Sequence, residues 1–298
     1  MPSIKSKPTQ LHSFPFFALG TQWEIVTQKP LIEAVKTTIR DEVERIDGTY
    51  SRFRDDSVVS AISHAPGKYQ FPDADRVLLE FYDELYEMSQ GKVSPLVGDT
   101  LVALGYDADY TLRPKSVIPK PKKYPEIVQR EEATLTVSEP VTLDFGAAGK
   151  GYLVDRITVI LIEEGYDTFL VDGSGDMRQV GPGDFGSIGL EHPMRTGEVI
   201  GALELHDKAL CASATNRRRW GEGLHHVIDP TDGTPVEDII ATWVVADTAM
   251  VADGLATALF FCDPNTLAKR YNYAYIRMFA NGGVEYSPWF GESLYQEG

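Results

Sequence analysis

Asp253 and Thr257 lie four residues apart in the run A-M-V-A-D-G-L-A-T-A-L-F-F, so on a helix they share one face. The rest of that run is apolar or small, and a carboxylate in such company is costly unless it is paired or bound to a cation. A carboxylate beside a hydroxyl suits Mg²⁺, which takes few protein oxygens and completes its shell with phosphate and water. The competing reading is a surface face capped by Asp253. A second candidate is the stretch Asp144-Phe-Gly-Ala-Ala-Gly-Lys150-Gly151, whose small side chains leave backbone groups uncovered ahead of a helix. Such a loop can approach a phosphate or offer a carbonyl to a metal, and Lys150 adds positive charge; it can equally be a tight strand-to-helix connection. The third is Leu224-His225-His226-Val227-Ile228-Asp229-Pro230, running from a short strand into a turn. Adjacent histidines on a strand point to opposite faces, which disfavours joint chelation but leaves one free as a base near neutral pH. A structural histidine is the plainer alternative.

Two other matches fail. Gly181-Pro-Gly183-Asp-Phe-Gly186 fits G-x-G-x-x-G but contains proline and precedes strand-like Ser187–Leu190, so it is expected to be a hairpin turn. Gly149-Lys150-Gly151 lacks the first glycine and the Ser or Thr of a phosphate-binding P-loop.

The elements that must hold these residues follow from periodicity. Residues 14–27 read as a strand broken at Gly20, and Ile32, Val35, Ile39, Val43 and Ile46 as a helix ending near Asp47-Gly48. A second helix is expected over about 74–89, and a solvated connection over 114–125, where prolines and lysines cluster. Thr134–Val137 and Val141–Phe145 read as strands turned by Glu139-Pro140. The small-residue loop leads into a helix carrying Leu153 to Leu161 and closed at Gly165, then a buried strand at Phe169–Val171. Several β segments fill 187–246, and a last helix runs from Thr248 to Phe261 with Asp247 as its N-cap. Many strands are hairpin-like, which favours an α+β unit over a parallel sheet.

Composition narrows the class. The chain has 298 residues, 43% hydrophobic and 24% charged, enough for one sizeable core or two ordinary domains. Twenty-eight Lys and Arg against 44 Asp and Glu give a net charge of −16, which opposes nucleic acid and anionic membrane surfaces. Cys211 and Cys262 are too few for a disulfide framework, although they could form one bridge. The first 13 residues lack an apolar leader and no run is long enough to span a bilayer, so a soluble cytoplasmic protein is expected.

Taken in order, several segments resemble the ApbE-type FAD:protein FMN transferases. Leu19-Gly-Thr-Gln-Trp23 is similar to the opening methionine-glycine-threonine motif with leucine for methionine, and Thr49–Ser60 to a serine-rich motif. Asp144–Tyr152 resembles the D-x-G-x-x-x-K-G-Y loop, Val171–Asp176 a second glycine loop, and Ala212-Ser213-Ala214 with Arg217 a threonine-serine-glycine segment. His226–Gly233 and Ala252–Thr257 are similar to the closing motifs. The resemblance implies a single T-fold-like α+β unit over 14–290, with two related halves of mostly antiparallel sheet flanked by helices, between tails at 1–13 and 291–298. It implies Mg²⁺-dependent cleavage of FAD, transfer of FMN through its phosphate to a Ser or Thr of an acceptor flavoprotein, and release of AMP. By motif position, the carbonyl of Ala147 with Asp253 and Thr257 would hold the Mg²⁺. Leu19, Lys92, Val93, Ser94, Asp144, Lys150 and Ile228 would contact FAD, and His226 would take the proton of the acceptor hydroxyl. A cytoplasmic member would modify a cytoplasmic acceptor, such as a soluble reductase domain. Ser94 stands where many members carry aspartate, Leu104-Gly105-Tyr106 replaces a leucine-tryptophan-glycine-aromatic run, and Ser63 replaces a frequent asparagine. Those departures keep two alternatives open: an FAD pyrophosphatase, and a non-catalytic FAD-binding protein.

Overall fold

The computed structural model describes residues 10–119 and 122–295. Its centre is an eight-stranded antiparallel sheet. The strands follow the order His12–Ala18, Thr21–Thr27, Phe169–Asp172, Met177–Val180, Ala209–Ala214, Ile239–Ala246, Ala274–Phe279 and Val284–Tyr286. Alternation along the strands feeds two cores, because successive side chains face opposite sides. In Ile239–Ala246, Val244 and Ala246 point to the helices, while Ala241, Trp243 and Val245 point the other way.

On the helix side, Trp23, Ile25, Phe169 and Val171 pack against Val35 and Ile39 of the Glu33–Tyr50 helix. They also meet Val154, Ile157 and Leu161 of the Gly149–Glu163 helix, and Leu255 of the Ala249–Ala258 helix. Each such side chain withdrawn from water contributes about 1.5–3 kcal/mol. The opposite face is covered by the hairpin Ile188–Glu191 with Val199–Leu203 and by Phe290. Both cysteines are free and buried. No helix among the described residues is long and apolar enough to cross a membrane.

The α+β expectation holds, with several local corrections. The first strand pair begins at His12, so residues 12 and 13 belong to the sheet; residues 1–9 of the expected tail lie outside the described residues. At the other end, Ala202 N–H donates to Ser293 O at 2.9 Å and Tyr295 N–H to Ile200 O at 2.9 Å, so the packed unit runs past residue 290. Val141–Phe145 joins no sheet among the described residues. Its Thr142 N–H donates to Asp99 Oδ1 at 2.9 Å and its Asp144 N–H to Pro95 O at 2.8 Å. The Gly181–Gly186 segment joins two different sheets instead of closing a hairpin. The last helix is capped by Thr248, which accepts from Val251 N–H, whereas Asp247 pairs with Lys208.

Candidate active site

The two helices that carry the predicted chemistry pack unusually close. A Cβ on Gly151 would lie 2.2 Å from Ala249 O and 2.7 Å from Asp253 Cβ, so only glycine fits there. The contact is polar as well as tight. Gly151 N–H donates to Asp253 Oδ2 at 2.9 Å, and Asp155 caps the partner helix by accepting from Ala249 N–H at 2.9 Å and Met250 N–H at 2.8 Å. Asp253 is thereby buried, which settles it inside the molecule and not on a surface face. Its Thr257 neighbour, one turn on, donates from Oγ1 to Ala147 O at 3.4 Å. The three expected metal ligands thus meet where the small-residue loop crosses the last helix.

Burial pushes the Asp253 carboxyl well above the usual carboxylate range, and the nearby Asp176 charge pushes it further. Lys150, ion-paired with Asp176, only partly offsets this. Burial would lower the Lys150 ammonium, but Asp176 and Asp253 more than compensate and hold it above its ordinary range. Asp176 keeps one buried carboxylate oxygen, Oδ1, without a partner. Two buried carboxyl groups, Asp176 and Asp253, thus share the one ammonium of Lys150. The oxygens the pocket offers are those of a carboxylate, a hydroxyl and a carbonyl, the hard donors that Mg²⁺ prefers. No cluster of three or more His, Cys, Asp or Glu is present among the described residues.

Asp144 begins the loop and is held by Arg52, whose Nε donates to Oδ2 at 2.6 Å while Nη1 reaches Tyr106 O at 2.7 Å. Burial would raise this carboxyl; the Arg52 charge and hydrogen bond, with Gly146 N–H at 2.8 Å, hold it below its ordinary value. Arg52 also lies over the rings of Phe53 and Tyr106, 4.2 and 4.7 Å from their centroids. Tyr50 and Tyr152 donate to Asp75 at 3.0 and 2.7 Å, and Arg45 pairs with the same fully buried carboxylate. That network fixes two aromatic walls.

Three clefts open onto this loop. The first, about 630 Å³ including its open mouth, is lined by Lys92, Val93, Ser94, Asp144, Ala147, His226, Ile228 and Thr257 among others. The second, about 1140 Å³, takes Leu19, Tyr50, Phe53, Tyr110, Asp144, Lys150 and Tyr152. The third, about 1670 Å³, runs between the glycine turn at Ser174-Gly175 and Ala212–Ala214, and reaches Lys150 and His226. Gly146 and Arg218 line all three.

The predicted residues are therefore brought together, with Asp253 just beneath the loop. Ser94 lines the first cleft, its Oγ accepting from Leu96 N–H at 3.2 Å. Lys92 is bound to Asp229 at 2.7 Å. Tyr106 lines two clefts, but Ser63 lines none: it sits on the Val58–His64 helix and donates to Ser60 O at 2.7 Å. His225 is engaged at both ring nitrogens, with Val236 O at 2.9 Å and Val227 N–H at 3.3 Å. His226 instead faces two clefts and its buried Nδ1 has no partner. Burial, and then the Arg218 charge, lower its pKa to about 3.

Arg218 was not singled out by sequence. It is half-buried, sits 5.9 Å over the Tyr106 ring, and makes no ion pair or side-chain hydrogen bond among the described residues. Lys92, Lys150 and Arg52 are each committed to a carboxylate, which leaves Arg218, among the described residues, as an uncommitted cation where the clefts meet. The available signal was the run Arg217-Arg218-Arg219 just before the histidine pair.

The sequence model of the ApbE family matches residues 19–276. The chain belongs to the ApbE family. Among its relatives, the FAD:protein FMN transferase of Klebsiella pneumoniae (strain 342) is 23% identical over 77% of this chain and 75% of the relative. That of Treponema pallidum (strain Nichols) is 28% identical over 70% of this chain and 65% of the relative. The ApbE protein of Thermotoga maritima has the same fold, with a TM-score of 0.81 at 24% identity, covering 96% of this chain and all of that one. The flavin transferase ApbE of Vibrio cholerae superposes with a TM-score of 0.80 at 22% identity and the same coverage. The matched range includes the loop at Asp144–Gly151 and the cleft-lining residues Leu19, Ser94, Arg218 and His226.

Proposed function

We propose that this ApbE-family chain is a Mg²⁺-dependent FAD:protein FMN transferase, which moves FMN from FAD to a Ser or Thr hydroxyl of an acceptor flavoprotein and releases AMP. Curated relatives carry that transferase name. The observation that carries the reading is the meeting of three clefts at Gly146 and Arg218, with His226 between the first and third. FAD has two ring systems joined by a diphosphate. It needs two partly apolar pockets and a cationic centre between them, which the first two clefts with Arg218 and Lys150 provide. A third cleft is left for the acceptor.

Ala147 O, Asp253 and Thr257 are the residues that would hold Mg²⁺, which when bound neutralises the diphosphate and polarises the phosphorus under attack. Lys92–Ser94 and Ile228 line the first pocket, Leu19 and the tyrosines the second, and Asp144 both. Arg218 orients the diphosphate by charge-assisted hydrogen bonds. The acceptor hydroxyl oxygen bonds to the phosphorus on the FMN side while the bond from that phosphorus to the bridging oxygen breaks. AMP leaves with the bridging oxygen, and the hydroxyl proton passes to His226. His226 enters the reaction neutral, since burial and Arg218 suppress its protonation. Diphosphate placed against Arg218 cancels that repulsion, so substrate binding raises the proton affinity of the base when it is needed.

The test follows AMP release from FAD and Mg²⁺ with and without a threonine-containing peptide. Peptide-stimulated release that Asp253→Ala or Thr257→Ala abolishes is expected. Release independent of peptide would favour the pyrophosphatase, and release unchanged in both variants would sink the metal assignment.

A further inference from the structure

The strand Ala209–Ala214 pairs along its full length with Ile239–Ala246, but on its other side Met177–Val180 reaches only Ala209 and Leu210. Beyond Leu210, among the described residues, the middle of the sheet has an open edge. Antiparallel alternation tells which groups face it. Lys208 O accepts from Gln179 N–H on the open side, and Thr215 N–H donates to Ile240 O on the closed side. The even-numbered residues therefore present their backbone to the gap. Ala214 O is taken by Arg217 N–H at 3.4 Å, which leaves both backbone groups of Ala212 and the N–H of Ala214 directed into the third cleft. Exposed edges are normally blunted by charge, proline or a bulge. This one has none: Cys211–Ala214 carries no charge or proline, its pairing with Ile239–Ala246 has no register shift there, and Ala212 is exposed. Across the cleft lies Ser174-Gly175, with φ values of 63° and 101°, the turn that returns Met177–Val180 to its other neighbour Phe169–Asp172 and so ends its pairing with Ala209–Ala214.

We propose that this open edge is where the acceptor docks: an extended segment of its polypeptide adds as a strand beside Ala212–Ala214 and delivers its hydroxyl to His226. The inference rests on the transferase reading. Three observations favour a polypeptide as the occupant. Main-chain donors and acceptors at strand spacing match another main chain, as in β-strand addition. Of the residues expected to contact FAD, only Lys150 lines this cleft, so FAD has its place elsewhere. The cleft is also continuous with Gly146, Arg218 and His226. Alternation then sets a sequence preference. Cys211 packs on the helix side of the sheet and Leu210 and Ala214 on the other, where Ile188, Leu190 and Trp243 form an apolar floor. A hydroxyl residue turned to the helix side, toward Lys150, places its two chain neighbours over that floor, so small or apolar neighbours fit.

The experiment uses the full chain with FAD, Mg²⁺ and a pool of nine-residue peptides with a central threonine and randomised flanks. Ala212→Pro removes the N–H that faces the gap and leaves the pairing with Ile239–Ala246 intact, while Ala212→Ser keeps the N–H. Expected is at least a tenfold loss of peptide flavinylation in Ala212→Pro, near-wild-type flavinylation in Ala212→Ser, and FAD affinity by flavin fluorescence within twofold for both. Modified peptides should carry small or apolar residues beside the threonine. Undiminished flavinylation by Ala212→Pro overturns the docking site. So does an equal loss in Ala212→Ser, a parallel loss of FAD affinity, or a preference for charged flanks. Absence of any adduct with the wild-type chain overturns the transferase reading itself, and the docking with it.

Discussion

Gly151→Ala tests whether the site depends on the close approach of the Gly149–Glu163 and Ala249–Ala258 helices. The added Cβ would sit 2.2 Å from Ala249 O, and real Cβ atoms keep at least about 3.0 Å from backbone, so the helices must separate by roughly 0.8 Å. Overpacking of this kind costs about 1–3 kcal/mol, whereas exchanging glycine for alanine in a helix returns only about 0.5–1 kcal/mol. The net loss of up to about 2.5 kcal/mol corresponds to a Tm lower by up to roughly 4 °C in a chain of this length. The same shift stretches the Gly151 N–H to Asp253 bond and moves Asp253 and Thr257 together away from Ala147. Displacement of about 1 Å in a reacting site can cost about 10²-fold in rate. Calorimetry and AMP release from FAD are the assays, with Gly149→Ala as a stability control because nothing lies within 4 Å of its Cβ position. A Gly151→Ala variant as stable as Gly149→Ala and fully active would refute the packing argument.

Asp253→Asn removes a buried carboxylate already pushed toward protonation while leaving an oxygen for Gly151 N–H. Its Tm without metal is expected to match or exceed that of the wild type, and stabilisation by added MgCl₂ to vanish; a retained MgCl₂ shift would contradict the ligand set. Arg218→Gln should weaken FAD binding at least tenfold, about 1.4 kcal/mol. It should also raise the His226 pKa seen by NMR above about 3, and an unmoved His226 resonance would show that Arg218 does not act on it. The folded-state pKa of His226 lies below its unfolded value of 6.5, so between those values the unfolded chain binds a proton that the folded chain refuses. This group alone should therefore lower stability as pH falls below 6.5, by up to about 1.4 kcal/mol per pH unit. Urea melts of His226→Asn at pH 7 and pH 5 should lose that slope, and wild-type and variant curves that stay parallel would contradict it.

Local signals were legible where one residue type conflicted with its neighbours. An aspartate in an apolar helical run marked Asp253, and a string of small residues marked the loop at Asp144–Gly151. Helices declared themselves by period, as Val35, Ile39 and Ile46 did. Val141–Phe145 misled because its pattern is strand-like while its backbone partners, the Asp99 side chain and Pro95 O, are distant in sequence. Asp247 and Thr248 are both good caps, and only the position of Lys208 decides between them. The three consecutive arginines look alike in sequence. The fold commits Arg217 to Glu191 and leaves Arg218 at the junction of the clefts. The open edge at Ala212–Ala214 depends on where Met177–Val180 stops pairing, which no local pattern records.

The central claim is transfer to a hydroxyl, and mass spectrometry of the acceptor tests it most directly. The chain is incubated with FAD, Mg²⁺ and the threonine peptides while AMP is quantified in the same sample. The account predicts one FMN-sized adduct on threonine for each AMP released, lost in Thr257→Ala. AMP accompanied by free FMN and unmodified peptide would contradict it.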